Sequence, residues 1–377
     1  MLKFIAEKLI QKKWMVLSLV IGGILMISMA VCNPMYINGA LQNLLTTNLS
    51  NSFEETGIYP VSVNYNMGIK VSDSDWEDKN DIQIKGMDDK ISHINIPIVL
   101  DISLLSVKKS SVFTKLNTEE NNESIFFQPS NLSDLEEHIN IITGKNYNKK
   151  VGKDGVYEAI VSKSAFYNLN LVLDEVITFD KLKDKDGNMI KIKIVGVFEP
   201  KDSEDAYWVM DQELLNTACF VSDSNFNKIA NAIYFDKKSA GSVNMNRTVL
   251  YDYTKIDYKD IDQLLSIVKV LKEQNLTCTF ADAFKEYKAS NQKVVTTMNI
   301  LQVPTMFLLA IFIYMVSSQM LAMESNEIAM LKSRGVSRRQ IILIYLLQSS
   351  ILSLFSMIVG VPIGYFMCKT LGVSNSF

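Results

Sequence analysis

Three stretches of the chain are almost free of charge: Trp14 to Phe53, Val294 to Met323 and Ile341 to Cys368. The apolar part of the first, Trp14 to Cys32, has 19 residues, about 28 Å as a helix at about 1.5 Å per residue. That length matches the hydrocarbon core of a bilayer, and the other two stretches are longer, so all three are predicted to be transmembrane helices. The run Gly39 to Glu55 keeps apolar residues at Leu41, Leu44, Leu45, Leu49 and Phe53, close to a helical stripe, and predicts that the first helix continues outward as a stalk. A second reading of the same end stays open: lysines, an apolar run and Ser28-Met29-Ala30 resemble a cleavable signal peptide. A lipoprotein reading at Cys32 is opposed by Val31 before it.

Between the first and second apolar stretches the pattern changes to mixed elements. Strands are predicted at Tyr59 to Tyr65, Ile82 to Ile84 and Ile94 to Leu100, and a helix at Leu132 to Ile142, capped by Ser130 or Asn131 and followed by Gly144. Glu158 to Ser162 reads as a strand and Lys163 to Leu169 as a short helix. Glu175 to Leu182 and Met189 to Phe198 form a hairpin around Asp184 to Asn188, whose Asp-Gly step suits a tight turn. Further strands are predicted at Ala206 to Met210, Ala232 to Phe235, Thr248 to Tyr253 and Cys278 to Phe280, with a helix at Ile261 to Lys272. From Ala281 one long helix runs into the second apolar stretch. Pro304 either kinks it or marks a break.

Charge then orients the chain. The net charge is −3, but residues 1–32 hold four Lys and one Glu, and residues 298–377 hold five Lys or Arg and two Glu. From totals of 38 basic and 41 acidic residues, that leaves 29 and 38 for residues 33–297, a segment near −9 with no nucleic-acid footprint. Lys3, Lys8, Lys12 and Lys13 lie before the first span, and Lys332, Arg334, Arg338 and Arg339 lie between the second and third. Two crossings separate the clusters, so the positive-inside rule puts both in the cytoplasm and residues 33–297 outside.

Candidate chemistry is sparse. The chain has no Gly-x4-Gly-Lys-Ser/Thr phosphate loop, no Gly-x-Ser-x-Gly elbow, and only His93 and His138, so neither an ATPase nor a zinc enzyme is predicted, and no cofactor. The acidic runs Asp73/Asp75/Glu77/Asp78 and Asp134/Glu136/Glu137 read as solvated charge. No ionisable side chain interrupts the apolar stretches, which argues against an ion-coupled transporter. Cys219 and Cys278 either pair in the outer domain or stay separate thiols. The Asn-x-Ser/Thr triplets at Asn48, Asn122, Asn131, Asn246 and Asn275 follow from the abundance of Asn.

The loop from Glu324 to Gln340 is more specific. Ile328, Leu331 and Lys332 lie three and four apart, so a short helix presents an apolar and a charged edge. Gly335 suits the left-handed position after a helix, and Ser337 suits the N-cap of the next. The passage MESNEIAMLKSRGVSRRQI resembles the coupling helix of FtsX-like permeases, the MacB/FtsX class of ABC-transporter membrane subunits. The passages EAIVSKSAFYNLNLVLDEVITF and IKIKIVGVFEP are similar to the periplasmic core domain of that class.

The resemblance implies a membrane α-helical fold with three transmembrane helices and an α+β extracytoplasmic domain of the MacB periplasmic-core type. Residues 1–33 would be the cytoplasmic N-terminus and first span, 34–297 the outer domain with helical stalks, and 298–377 the FtsX-like membrane region. It further implies a non-enzymatic permease subunit for export or efflux. A cytoplasmic ABC ATPase would dock on 324–340 through Glu327, Ile328, Leu331, Lys332, Arg334, Gly335, Arg338 and Arg339. A second permease copy or homologous half, and membrane lipid, are the other implied partners; no substrate is named. The family closes with a fourth membrane helix, so the sequence reads as truncated after the third. Two alternatives remain: an FtsX-like regulator that activates an extracellular wall hydrolase, and a membrane-anchored ligand sensor without an ATPase.

Overall fold

The computed structural model describes all residues except 1–12, 72–74, 109–111, 115–124, 153–154, 185, 210–214, 236–241 and 375–377. Lys3, Lys8, Lys12, Asp73, Met210 and Asn122, all singled out from the sequence, lie outside the described residues. The chain divides into two compact units, one of residues 1–47 and 285–377, the other of residues 48–284.

The second unit is a sheet with helices. Its strands are β1 (Ser62–Ile69), β2 (Ile98–Lys108), β3 (Val112–Thr114), β4 (Ile125–Phe126), β5 (Gln128–Leu132), β6 (Ile139–Gly144), β7 (Val156–Ser162), β8 (Val176–Lys183), β9 (Met189–Pro200), β10 (Ala218–Phe220), β11 (Ser242–Tyr251) and β12 (Leu276–Cys278). They form one 12-stranded sheet in the order β12-β1-β11-β2-β5-β10-β7-β9-β8-β3-β4, with β6 on β9. The sheet is mixed: β5–β10 and β7–β9 are parallel. Period-2 alternation sorts its side chains into two cores, one per face. On β2, Leu105 and Val107 join one cluster while Ile102 and Leu104 join the other, and on β7 Ala159 and Val161 oppose Ile160 in the same way.

The β8–β9 hairpin closes as its turn residues dictate. Gly187 takes φ +85°, and Asp184 Oδ1 accepts from the amides of Asp186 and Asn188.

Four sequence expectations are corrected. Ile82 to Ile84 is not a strand but lies in α2 (Trp76–Ile91), whose buried Trp76, Met87 and Ile91 repeat at helical spacing. Ala232 to Phe235 ends α5 (Asp223–Phe235), where Phe226, Ile229, Ala230 and Ile233 make a buried i, i+3, i+4, i+7 stripe. Leu132 to Ile142 is broken into the end of β5, a single helical turn α3 (Leu135–His138) and β6, because β2 and β9 supply ladder partners on either side. The described part of the strand expected from Ala206 is not one: Ala206–Val209 is a 3₁₀ turn, opened by Asp205 Oδ1 accepting from the Tyr207 amide at 3.0 Å. Helices α4 (Lys163–Asn168) and α6 (Ile261–Glu273) lie where expected.

Three helices are long and apolar enough to cross a membrane: α1 (Lys13–Thr56), α7 (Phe280–Met323) and, after the short α8 (Ser325–Ser333), α9 (Arg338–Ser374). The first two have 44 residues each, about 66 Å at about 1.5 Å per residue, roughly twice a bilayer core. The helix therefore continues beyond Cys32, as the Leu41–Phe53 stripe predicted. Helix α7 runs unbroken through Pro304.

Candidate functional site

The membrane helices pack through their smallest residues. Ser356 Oγ donates to the carbonyl of Val20 at 3.4 Å and Ser28 Oγ to that of Gly360 at 2.9 Å. A Cβ on Gly360 would meet the Ile24 carbonyl oxygen at 3.1 Å, and one on Gly364 would meet that of Ser28 at 2.7 Å. Cys32 and Cys368 lie near each other one rung further on. The rungs Val20/Ser356, Ile24/Gly360, Ser28/Gly364 and Cys32/Cys368 advance by four residues on both helices, so α1 and α9 run parallel. Gly360-x-x-x-Gly364 is thus a small-residue seam that lets two backbones approach, the arrangement that holds helices together where no hydrophobic effect drives them. Against α7, a Cβ on Gly22 would meet the Phe312 ring at 3.1 Å, Asn33 Nδ2 donates to Gln302 Oε1, and the Tyr287 hydroxyl donates to the Leu41 carbonyl at 3.0 Å.

The loop between α7 and α9 is built by caps. Helix α8 ends at Ser333, and Gly335 follows at φ +85° with nothing within 4 Å of a Cβ, so its requirement is conformational rather than steric. The amides of Gly335 and Val336 donate back to the carbonyls of Lys332 and Leu331. Ser337 and Gln340 then form a reciprocal capping box: the Gln340 amide donates to Ser337 Oγ at 3.4 Å, and the Ser337 amide to Gln340 Oε1 at 3.1 Å. The sequence identified Ser337; its partner Gln340 was missed, although the Ser-x-x-Gln spacing carried the signal.

These turns decide where the eight candidate residues point. Glu327, Ile328 and Leu331 are half-buried and share the α8 face that also carries Glu324, which is fully buried at 0% exposure. Ile328 lines a cavity of about 420 Å³ with Leu19 of α1, Met320 and Leu321 of α7, and Ile341 and Tyr345 of α9. Lys332, Arg334, Gly335, Arg338 and Arg339 are exposed. The opposite face of α8 presents Asn326, Ala329, Met330 and Ser333, all exposed, with Met330 at 60%. Sequence reading missed Met330, since a helical stripe shows that one edge is apolar without saying what that edge meets.

Residues 299–377 match the family model FtsX-like permease C-terminal. No curated protein matches the chain. The matched span contains most of α7, all of α8 and α9, and thus the whole capped loop. That match, with three helices long and apolar enough to cross a membrane, points to a membrane protein whose residues 299–377 are similar to an FtsX-like permease.

Proposed function

We propose that the chain is the permease subunit of an FtsX/MacB-type ABC system, carrying ATP-driven motion from a cytoplasmic ATPase to its outer domain for export or efflux. The observation that carries this reading is α8 itself, a short helix held between two membrane helices by a left-handed glycine and a capping box. Lys13 and the loop arginines flank parallel helices, which supports a shared cytoplasmic side and an extracytoplasmic residue 33–297 segment.

In this reading α8 works with two faces. Glu327, Ile328 and Leu331 brace it against the membrane helices, so that its movement is the movement of α7 and α9. Met330, with Ala329, Asn326 and Ser333 around it, meets the ATPase, and Lys332, Arg334, Arg338 and Arg339 form a basic rim facing acidic groups or lipid phosphates. A central apolar anchor contributes about 2 kcal/mol or more to such a contact, whereas rim charges act mainly on association rate and salt dependence.

Co-purification of the partner ATPase from solubilised membranes tests this, with membrane insertion checked separately. Met330→Asp is expected to release the ATPase. Leu331→Asp and Gly335→Val are expected to release it too, by tilting α8. Lys332→Ala is expected to alter only the salt at which the complex dissociates. Wild-type retention by Met330→Asp, Leu331→Asp and Gly335→Val together would reduce the loop to a topological anchor.

A further inference from the structure

The cavity beside Ile328 lies behind the start of α9. Its volume of about 420 Å³ is at the lower end of ordinary ligand cavities, and no charged side chain is among the described residues that line it. Along α9 its wall includes Ile342, Tyr345, Ser349 and Leu352, three or four residues apart and so on one helix face. Leu352 stands ten residues beyond Ile342, about 15 Å at about 1.5 Å per residue. That is half of a bilayer's roughly 30 Å hydrocarbon core, the depth of one leaflet.

The same stripe runs back to Arg338, four residues before Ile342, and Arg339 stands three before it. Both are exposed, and among the described residues neither forms an ion pair. The carboxylates of the segment are turned away from this surface: Glu324 is fully buried and Glu327 half-buried on the braced face of α8. Helix α9 also begins here. Ser337 accepts the Gln340 amide on its hydroxyl and the Ile341 amide on its carbonyl, while among the described residues the amides of Arg338 and Arg339 have no partner. Unpaired amides at a helix start favour an anion.

We infer that this end of α9 and the cavity behind it bind one anionic phospholipid. Its phosphate sits on Arg338, Arg339 and their two amides, and an acyl chain fills the groove between Leu321, Ile328 and Leu346. The site rests on the reading of the basic rim as facing acidic groups or lipid phosphates, and makes lipid the partner at Arg338 and Arg339. Basic pockets between membrane helices hold such headgroups. An anion without a chain would leave the apolar wall unfilled, and a zwitterionic lipid would bring a cation against two arginines. Because Ile328 lines the cavity, the bound chain packs on the braced edge of α8, so the lipid helps to hold that helix. The plainer alternative is a pair of positive-inside anchors meeting bulk headgroups. It accounts for the arginines but not for an uncharged groove, one leaflet deep, on the same helix face.

The test uses the full chain in a neutral detergent, with phosphatidylglycerol and phosphatidylcholine of identical acyl chains added and retained lipid counted by native mass spectrometry. One phosphatidylglycerol per chain should be retained in preference to phosphatidylcholine. Glycerol phosphate, which carries the anion without chains, should not displace it. Arg338→Gln with Arg339→Gln should reduce the preference by about tenfold or more, the scale of two basic residues against an anionic headgroup. Lys332→Gln with Arg334→Gln removes the same charge from the same loop and should reduce it much less. Leu346→Trp keeps every charge but fills the groove, and should also lower retention; it carries the test if the arginine pair lowers the melting temperature. Equal retention of the two lipids by the unaltered chain, equal losses from the two charge pairs, displacement by glycerol phosphate, or full retention by Leu346→Trp would each overturn the site. The ATPase is absent from this experiment, so its outcome is separate from whether Met330→Asp releases that partner.

Discussion

The Ser28 hydroxyl donates to the Gly360 carbonyl at 2.9 Å, and the Ser28 carbonyl oxygen in turn lies 2.7 Å from where a Gly364 Cβ would stand. One serine therefore satisfies its hydroxyl within the helix pair and sets the steric limit for the facing helix. In a bilayer, lipid would offer no alternative partner for that hydroxyl, so the contact would hold the register of α1 on α9.

Gly364→Val is expected to destabilise the purified protein by about 1–3 kcal/mol, the usual cost of forcing atoms into a packed interface. Gly39→Val has nothing within 4 Å of its Cβ and serves as a control for side-chain size alone. Melting temperatures in the same detergent should fall clearly for Gly364→Val and little for Gly39→Val. Equal shifts would mean that the seam does not hold the helices.

Parallel α1 and α9 require their first residues, Lys13 and Arg338, to share a side. A cysteine introduced at Met330 should react with membrane-impermeant maleimide only after inside-out vesicles are prepared. One introduced at Ser224 should react in intact cells. Labelling of position 330 from outside intact cells would reverse the topology and remove α8 from any cytoplasmic partner.

Cys219 lies on β10 and Cys278 on β12, separated in the sheet by β5, β2, β11 and β1. Five inter-strand steps of about 4.8 Å put them roughly 24 Å apart, far beyond disulfide reach. Burial also raises both thiols above the ordinary cysteine value, Cys278 to about 11. Non-reducing peptide mapping should recover Cys219 and Cys278 as free thiols, with Cys219 alkylated only after denaturation. A Cys219–Cys278 peptide would contradict the sheet order.

Asp205 ties the 3₁₀ turn to α3. Burial opposes its charge, but the Tyr207 amide, the 2.7 Å contact with His138 Nδ1 and the charge of that ring hold its carboxyl below the ordinary value of 3.8. A lowered folded pKa stabilises at pH above the unfolded value and is lost as pH falls through the folded one. Chemical denaturation should therefore show a stability loss setting in below about pH 4 that Asp205→Asn makes shallower. An identical acid slope in the variant would mean that the turn takes no stabilisation from this carboxylate.

Much was legible in the sequence because the forces concerned are local or set by the bilayer. Three charge-free runs had to become helices, since a backbone in lipid must satisfy itself. The stop at Gly335, the start at Ser337, and the turn at Asp184 to Asn188 depend on neighbours three or four residues away. Other features depended on partners distant in the chain. Ile82-Gln83-Ile84 alternates like a strand, and only the burial of Trp76, Met87 and Ile91 on one side makes it a helix. Leu132 to Ile142 has helical residues, yet β2 and β9 supply hydrogen-bond ladders that outweigh propensity. The stripe of Ile328 and Leu331 was readable, but its direction was not, because an amphipathic helix encodes which edge is apolar and not what lies against it. The packing of α1, α7 and α9 turned that edge toward the membrane helices, left Met330 outward, and brought Cys32 to Cys368 across more than three hundred residues of chain.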